Sequence, residues 1–211
     1  MIQISPIYNT SFGYGVTARF RANYYDLLNL NAARIPYSEL RTLDLSLLYT
    51  DEQKSWSIRE FTLFNIINLN VSQTGLVEDA LYAWELEAGY KPSSLSCINC
   101  SDMYVSGFLG KSKHVTKSGA GYIALAGEIQ FPDFTSSSLL SGPEIGVVLT
   151  LTPYWATSLK ARRTYNLNNI AEYENNLVWE QRFFEDRNFD VRTSIEYDDT
   201  FEYAINFSTY W

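Results

Sequence analysis

The sequence lacks any long apolar run. No stretch reaches the 18 or more residues of a transmembrane helix, which leaves a spanning β-barrel, with strands only half apolar, as the one way for this chain to cross a membrane. Clustered basic residues are missing as well. Lys and Arg number 16 against 24 Asp and Glu, for a net charge of −8, so the chain has no means of neutralising a phosphate backbone and a nucleic-acid partner is excluded. A single His and two Cys provide too few ligands for a zinc site, which takes about three or four, and no cofactor motif is present. The opening residues, Met1 to Pro6, have neither the basic nor the apolar region of a signal peptide.

Aromatic residues are abundant: 16 Tyr, 12 Phe and 5 Trp, more than a core of this size needs. Such an excess belongs at an interface, and girdles at the two boundaries of a membrane barrel are the obvious place for it. The 211 residues suit one domain, long enough for about twelve strands of roughly ten residues each.

The chain's last stretch carries the clearest pattern. Phe189, Val191, Thr193, Ile195 and Tyr197 alternate with Asp190, Arg192, Ser194, Glu196 and Asp198; beyond a short turn, Phe201, Tyr203, Ile205, Phe207 and Thr209 alternate with Glu202, Ala204, Asn206 and Ser208. This is a β-hairpin with one aromatic-rich face and one charged face. In a soluble sandwich the apolar face would meet a core; in a membrane barrel it would meet lipid, with the charged face toward a wet lumen. A final strand ending on an aromatic, here Trp211, resembles bacterial outer-membrane proteins, in which the barrel-assembly machinery reads such an ending as a signal. The resemblance favours the barrel.

Similar alternation runs through the rest of the chain: Tyr14, Val16, Ala18 and Phe20; Leu43, Leu45, Leu47 and Tyr49; Tyr82, Trp84, Leu86 and Ala88; Ile145, Val147, Leu149 and Leu151. Residues 57–66 alternate less cleanly. These segments give about eleven strands, and residues 2–8 supply one more. Even parity, with both termini periplasmic, predicts an up-and-down antiparallel barrel of twelve strands as a single domain over residues 1–211. Turns are expected at residues 50–54, 153–156 and 185–188, longer outer loops at 132–142 and 166–174, and a helical turn within 25–38. An exported barrel needs an upstream segment, so Met1 is expected to follow a missing one.

The charged side chains of the polar faces are the main site candidates. Arg19, Arg21, Asp44, Glu85, Glu87, Glu128, Arg162, Glu180, Arg182, Arg192, Glu196 and Glu202 all fall there, with Lys160 and Asp190 beside them. Unpaired in a dry interior each would cost several kcal/mol, so a barrel must either wet them or pair them. Acids and bases are interleaved, which predicts an ion-pair network rather than a pore of one sign. Cys97 and Cys100 read as a local disulfide stapling a loop in an oxidising compartment, with a redox pair and half a metal site as alternatives. His114 reads as a solvated turn residue. Ser106 or Ser112 beside it could be proposed as a nucleophile, but no motif supports either.

In the first half, Arg21-Ala22-Asn23-Tyr24-Tyr25-Asp26-Leu27-Leu28, Leu43-Asp44-Leu45-Ser46-Leu47, Phe61-Thr62-Leu63-Phe64-Asn65-Ile66 and Trp84-Glu85-Leu86-Glu87-Ala88-Gly89-Tyr90 occur in an order that resembles the C-terminal part of bacterial lipoprotein N-acyltransferase-like (Lnb-like) envelope proteins. Ala22 and Tyr25 stand where that pattern has Pro and His. The resemblance implies a barrel that anchors, or gives lumenal access to, a periplasmic acyltransferase- or peptidase-like domain missing from this chain. The catalytic residues would lie in that domain, so the chain itself is expected to be no enzyme. Its expected place is the bacterial outer membrane, its partners membrane lipid, the assembly machinery and the missing domain. The alternatives are a small-solute channel, a barrel lipid hydrolase, and a soluble carbohydrate-binding sandwich.

Overall fold

A strand with one apolar and one charged face can be satisfied on both sides only where an apolar medium meets one and water or counter-charges meet the other. The chain meets that demand by closing on itself. The computed structural model describes residues 1–25, 27–28, 36–72, 82–98, 100–133, 136–183 and 188–210. They form twelve strands: β1 (Ile2–Asn9), β2 (Gly13–Tyr25), β3 (Ser38–Thr50), β4 (Trp56–Asn68), β5 (Ala83–Pro92), β6 (Ser101–Thr116), β7 (Gly119–Asp133), β8 (Ser136–Thr152), β9 (Trp155–Asn166), β10 (Asn169–Phe183), β11 (Phe189–Tyr197) and β12 (Phe201–Thr209). Each pairs antiparallel with its sequence neighbours, and β1 closes on β12, leaving no free edge. The expected twelve-stranded barrel is observed.

Faces are assigned by exposure. On β7, Ile123 and Leu125 are 70% and 64% exposed while the alternate Tyr122 and Ala124 are each 7% exposed. The outer wall is a belt of exposed Ile, Leu, Val, Phe and Tyr, and the charged face is enclosed. That arrangement overturns the sandwich alternative, whose charged face would be the outer one. Aromatics gather at the strand ends: Tyr8 packs on Tyr14 and Tyr203, Tyr49 on Trp56, and Phe201 on Tyr197, while Trp155 stacks on Phe183 at the opposite end. Two girdles about an apolar belt match the two boundaries of a bilayer.

Several local expectations need correction. Residues 132–142 and 166–174 are not long outer loops: β7 and β8 run to Asp133 and from Ser136, and β9 and β10 are joined by a turn at 167–168. Their polar residues lengthen the strands past the belt, where backbone pairing still satisfies the chain. His114 is not in a turn but on β6, exposed, its ring edge-on to Tyr37 at 5.7 Å. The turns expected at 50–54 and 153–156 are present but shorter, since β3 runs through Thr50 and β9 begins at Trp155. Of the segment expected to hold a helical turn, Leu27, Leu28, Pro36 and Tyr37 lie in turns and residues 29–35 are outside the described residues, as are 184–187 and Trp211.

Candidate functional site

Every residue of the predicted charged network faces the interior, and the barrel joins most of them across strands distant in sequence. The end bearing Met1 and Tyr210 is the terminal end; the other is the far end. Two ion-pair clusters span the interior. In one, Asp44, fully buried, accepts from Arg19 Nε at 2.6 Å and Arg21 Nε at 2.7 Å; Arg19 also approaches Glu60 at 3.4 Å, and Arg41 bridges Glu39 at 2.7 Å and Glu87 at 3.6 Å. In the other, Arg162 from β9 is the hub. It hydrogen-bonds Glu144 on β8 and reaches across the lumen to Glu85 on β5 at 3.4 Å and Glu128 on β7 at 3.7 Å, while Lys91 holds the second oxygen side of Glu128 at 2.7 Å. Asp190 and Arg192, two apart on β11 and so on one face, pair at 2.7 Å, and Tyr210 donates to the same carboxylate. Glu196 and Glu202 oppose one another in register, a like-charge pair, and Arg59 of β4 crosses the barrel to Glu202 at 3.0 Å. Glu180 lines the lumen, and Arg182 is fully buried within it.

Arg41, Glu39, Arg59, Glu60, Lys91 and Glu144 extend the network beyond the sequence expectation. Arg59 and Glu60 were hidden by a β-bulge: the β3–β4 register shifts between Ser46 and Leu47, so two successive residues of β4 line the lumen together. The broken alternation over residues 57–66 is its trace in the sequence.

Toward the terminal end the interior becomes apolar. Leu28, Ile67, Leu69, Phe108, Tyr122 and Val148 pack together over Ala83, Ala124, Ala126 and Ala156, with Leu27 and Val71 against them. Small wall residues make room for this floor, which is built in part by segments outside the strands. Tyr122 joins the floor to the charges: its ring stacks on Phe108 at 5.0 Å, and its hydroxyl donates to Glu144 at 2.7 Å. The ring lies over Gly146, where a Cβ would stand 2.4 Å from it. Ser106 is buried in the lumen and Ser112 donates to the Leu69 carbonyl at the floor, so neither forms a nucleophile pair with His114.

The far end is covered by the β5–β6 loop. Cys97 and Cys100 are joined by a disulfide within it, Leu95 turns inward and is buried, and Asn9 Nδ2 donates to the Leu95 carbonyl at 3.1 Å. Ser94 and Ser96 donate to Asp199 in the β11–β12 turn on the other side of the opening. Those bonds outweigh the effect of burial and hold the Asp199 carboxyl below its ordinary range. Burial, with Asp199 beside it, pushes Asp198 up to about 6. Between floor and loop lies a cavity of about 410 Å³, bounded by Leu27, Ile67 and Val148 below and by Ser93 and Leu95 above. Among the described residues lining it, carboxylates outnumber cations.

One family model, described as "Domain of unknown function (DUF7840)", matches residues 8–211. The chain belongs to the DUF7840 family. Comparison with curated proteins returns no match. Among solved structures, the DUF7840 chain is similar to the NanC porin, with a TM-score of 0.59, 8% identity and 100% of both chains covered. It is also similar to the KdgM porin, with a TM-score of 0.52, 7% identity, and 100% of this chain and 98% of that one covered. A second KdgM structure, described as in complex with disordered oligogalacturonate, matches at a TM-score of 0.52 and 6% identity over 99% of each chain. At these identities the likeness is one of fold: a porin-type barrel. With a lipid-facing apolar belt, two aromatic girdles and an enclosed polar lumen, this DUF7840 barrel is an integral protein of the bacterial outer membrane.

Proposed function

We propose that the protein is a non-catalytic outer-membrane channel for small polar solutes, constricted by its ion-pair network and apolar floor. The observation that carries this reading is the charged cavity of about 410 Å³ running from Leu27 to Leu95 inside a porin-type wall. A structural plug needs no such space. Excess carboxylate along the cavity favours cations and neutral polar solutes and disfavours an acidic sugar of the oligogalacturonate kind. Planar-bilayer recording tests it. Wild type should give a low conductance with a reversal potential on the cation side, and Leu27→Ser with Leu28→Ser should raise the conductance several-fold by wetting the floor. Absence of current from both proteins would overturn the channel.

The buried floor also favours a second reading, in which the barrel anchors an upstream periplasmic acyltransferase- or peptidase-like domain and conducts nothing. Leu28 and Leu69 sit at the terminal end, the side on which such a domain would lie. This reading expects silent bilayers and an upstream domain that is lost from the membrane fraction when cut from the barrel.

A further inference from the structure

The barrel's closing seam is incomplete in its middle. β1 pairs with β12 through Ile2↔Thr209, Gln3↔Ser208 and Ile4↔Phe207, skips Ser5 and Pro6, and resumes in the same register at Ile7↔Ala204. On its other side β1 pairs with β2 through Ser5↔Thr17 and Pro6↔Val16 without a break. The interruption therefore faces β12, where Pro6 has no N–H to donate. Side chains on the lumen side take over the closure: Gln3 Nε2 and Ser5 Oγ both donate to Asn206 Oδ1, at 2.8 and 2.6 Å.

On the membrane side the same break opens a groove of about 380 Å³. Its geometry follows from the register. Pro6, Ile205, Thr193 and Gln181 form one row across β1, β12, β11 and β10; the next row, Tyr8, Tyr203, Ile195 and Trp179, is a mainly aromatic wall of larger side chains. Ile7, Ser194 and Ala204 line both this groove and the lumenal cavity, so a single layer of residues separates membrane from lumen here.

We propose that this groove is a binding site for one acyl chain of a membrane lipid. A concave site in the lipid-facing belt is surrounded by hydrocarbon, and its lining is mainly apolar. Left unfilled it would forfeit dispersion contacts along both rows, and inside a bilayer packing of this kind is what drives association, there being no water to expel. The wall is rigid, since Tyr8 stacks on Tyr203 and packs at 5.0 Å on Tyr14, and the indole of Trp179 is fixed by donation to Thr157 Oγ1 at 3.0 Å. An acyl chain lying along the break is thus held in one place, unlike the exchanging lipids over the convex remainder of the barrel.

The test uses nitroxide-labelled stearic acid added to the full chain refolded in detergent micelles and read by electron spin resonance. A motionally restricted component should saturate at one probe per barrel. Thr193→Trp and Ile205→Trp, which fill the groove from two different strands, should each weaken it at least tenfold, while Leu125→Trp on the opposite wall leaves it unchanged. Retention of the boiled-against-unboiled mobility shift shows that each variant is folded. No saturable component in wild type, or saturable binding that survives both groove substitutions, overturns the proposal.

Discussion

Removal of the Arg162 guanidinium tests whether its pair with Glu144 is sealed in the wall beside the lumenal cavity. Arg162 lies among three carboxylates, and exposure of the residues is 0% for Glu144 and 5% for each of Glu85 and Glu128. Glu144 is buried in the wall and is not among the residues lining the cavity, so if the cavity's water does not reach it, Arg162→Gln leaves its carboxylate with Tyr122 as donor and Lys160 as its neighbouring cation, and breaking such a pair from one side costs about 3–5 kcal/mol. If that water does reach it, the same pair behaves like a surface one and its loss costs about 0–1 kcal/mol. Urea unfolding in lipid vesicles, followed by tryptophan fluorescence, reads the difference as a fall in the midpoint at constant slope. The expected loss is about 3 kcal/mol. Arg162→Gln with Glu144→Gln should recover part of it, because the second change removes the stranded charge. A single-variant loss below about 1 kcal/mol would refute the pairing argument and show that Glu144 is hydrated.

Gly146→Val places side-chain carbon against the Tyr122 ring and should cost about 1–3 kcal/mol in the same unfolding assay; an unchanged midpoint would mean that the ring turns freely. Docking of the β5–β6 loop should depend on pH. Asp198, with a folded value of about 6 against 3.8 unfolded, adds stability at low pH that is lost as pH rises through 6, whereas the lowered Asp199 adds stability above 3.8 that is lost as pH falls through its folded value. Proteolysis within residues 93–98 should therefore be slower at pH 5 than at pH 8, and equal rates would count against this docking of the loop. Replacing Cys97 and Cys100 by Ser opens a loop with a sequence separation of only 3, so global stability should fall by no more than about 1–2 kcal/mol while cleavage in the loop quickens; a collapse of the whole barrel would contradict this.

The sequence by itself determined most of the strands and the two faces of the regularly alternating ones. A charge cannot rest against hydrocarbon and an unpaired strand cannot sit in a bilayer, so alternation such as that of residues 189–209 settles both the secondary structure and which side is wet. It also placed the predicted charged residues on one face, because parity is a local property; that this face is the enclosed one was decided by closure of the barrel. Tertiary structure alone decided the partners. Arg59 meets Glu202 at a separation of 143 residues, and Arg162 meets Glu85 at 77, through the curvature and register of the closed sheet, which no local pattern encodes. The β4 bulge turned both Arg59 and Glu60 inward, and closure brought Leu28 and Leu69 onto Phe108 and Val148 to build a floor from residues that read as ordinary loop and strand-end positions. The missing N–H of Pro6 is written in the sequence. That it falls on the closing seam, facing β12, was decided only when the first strand met the last.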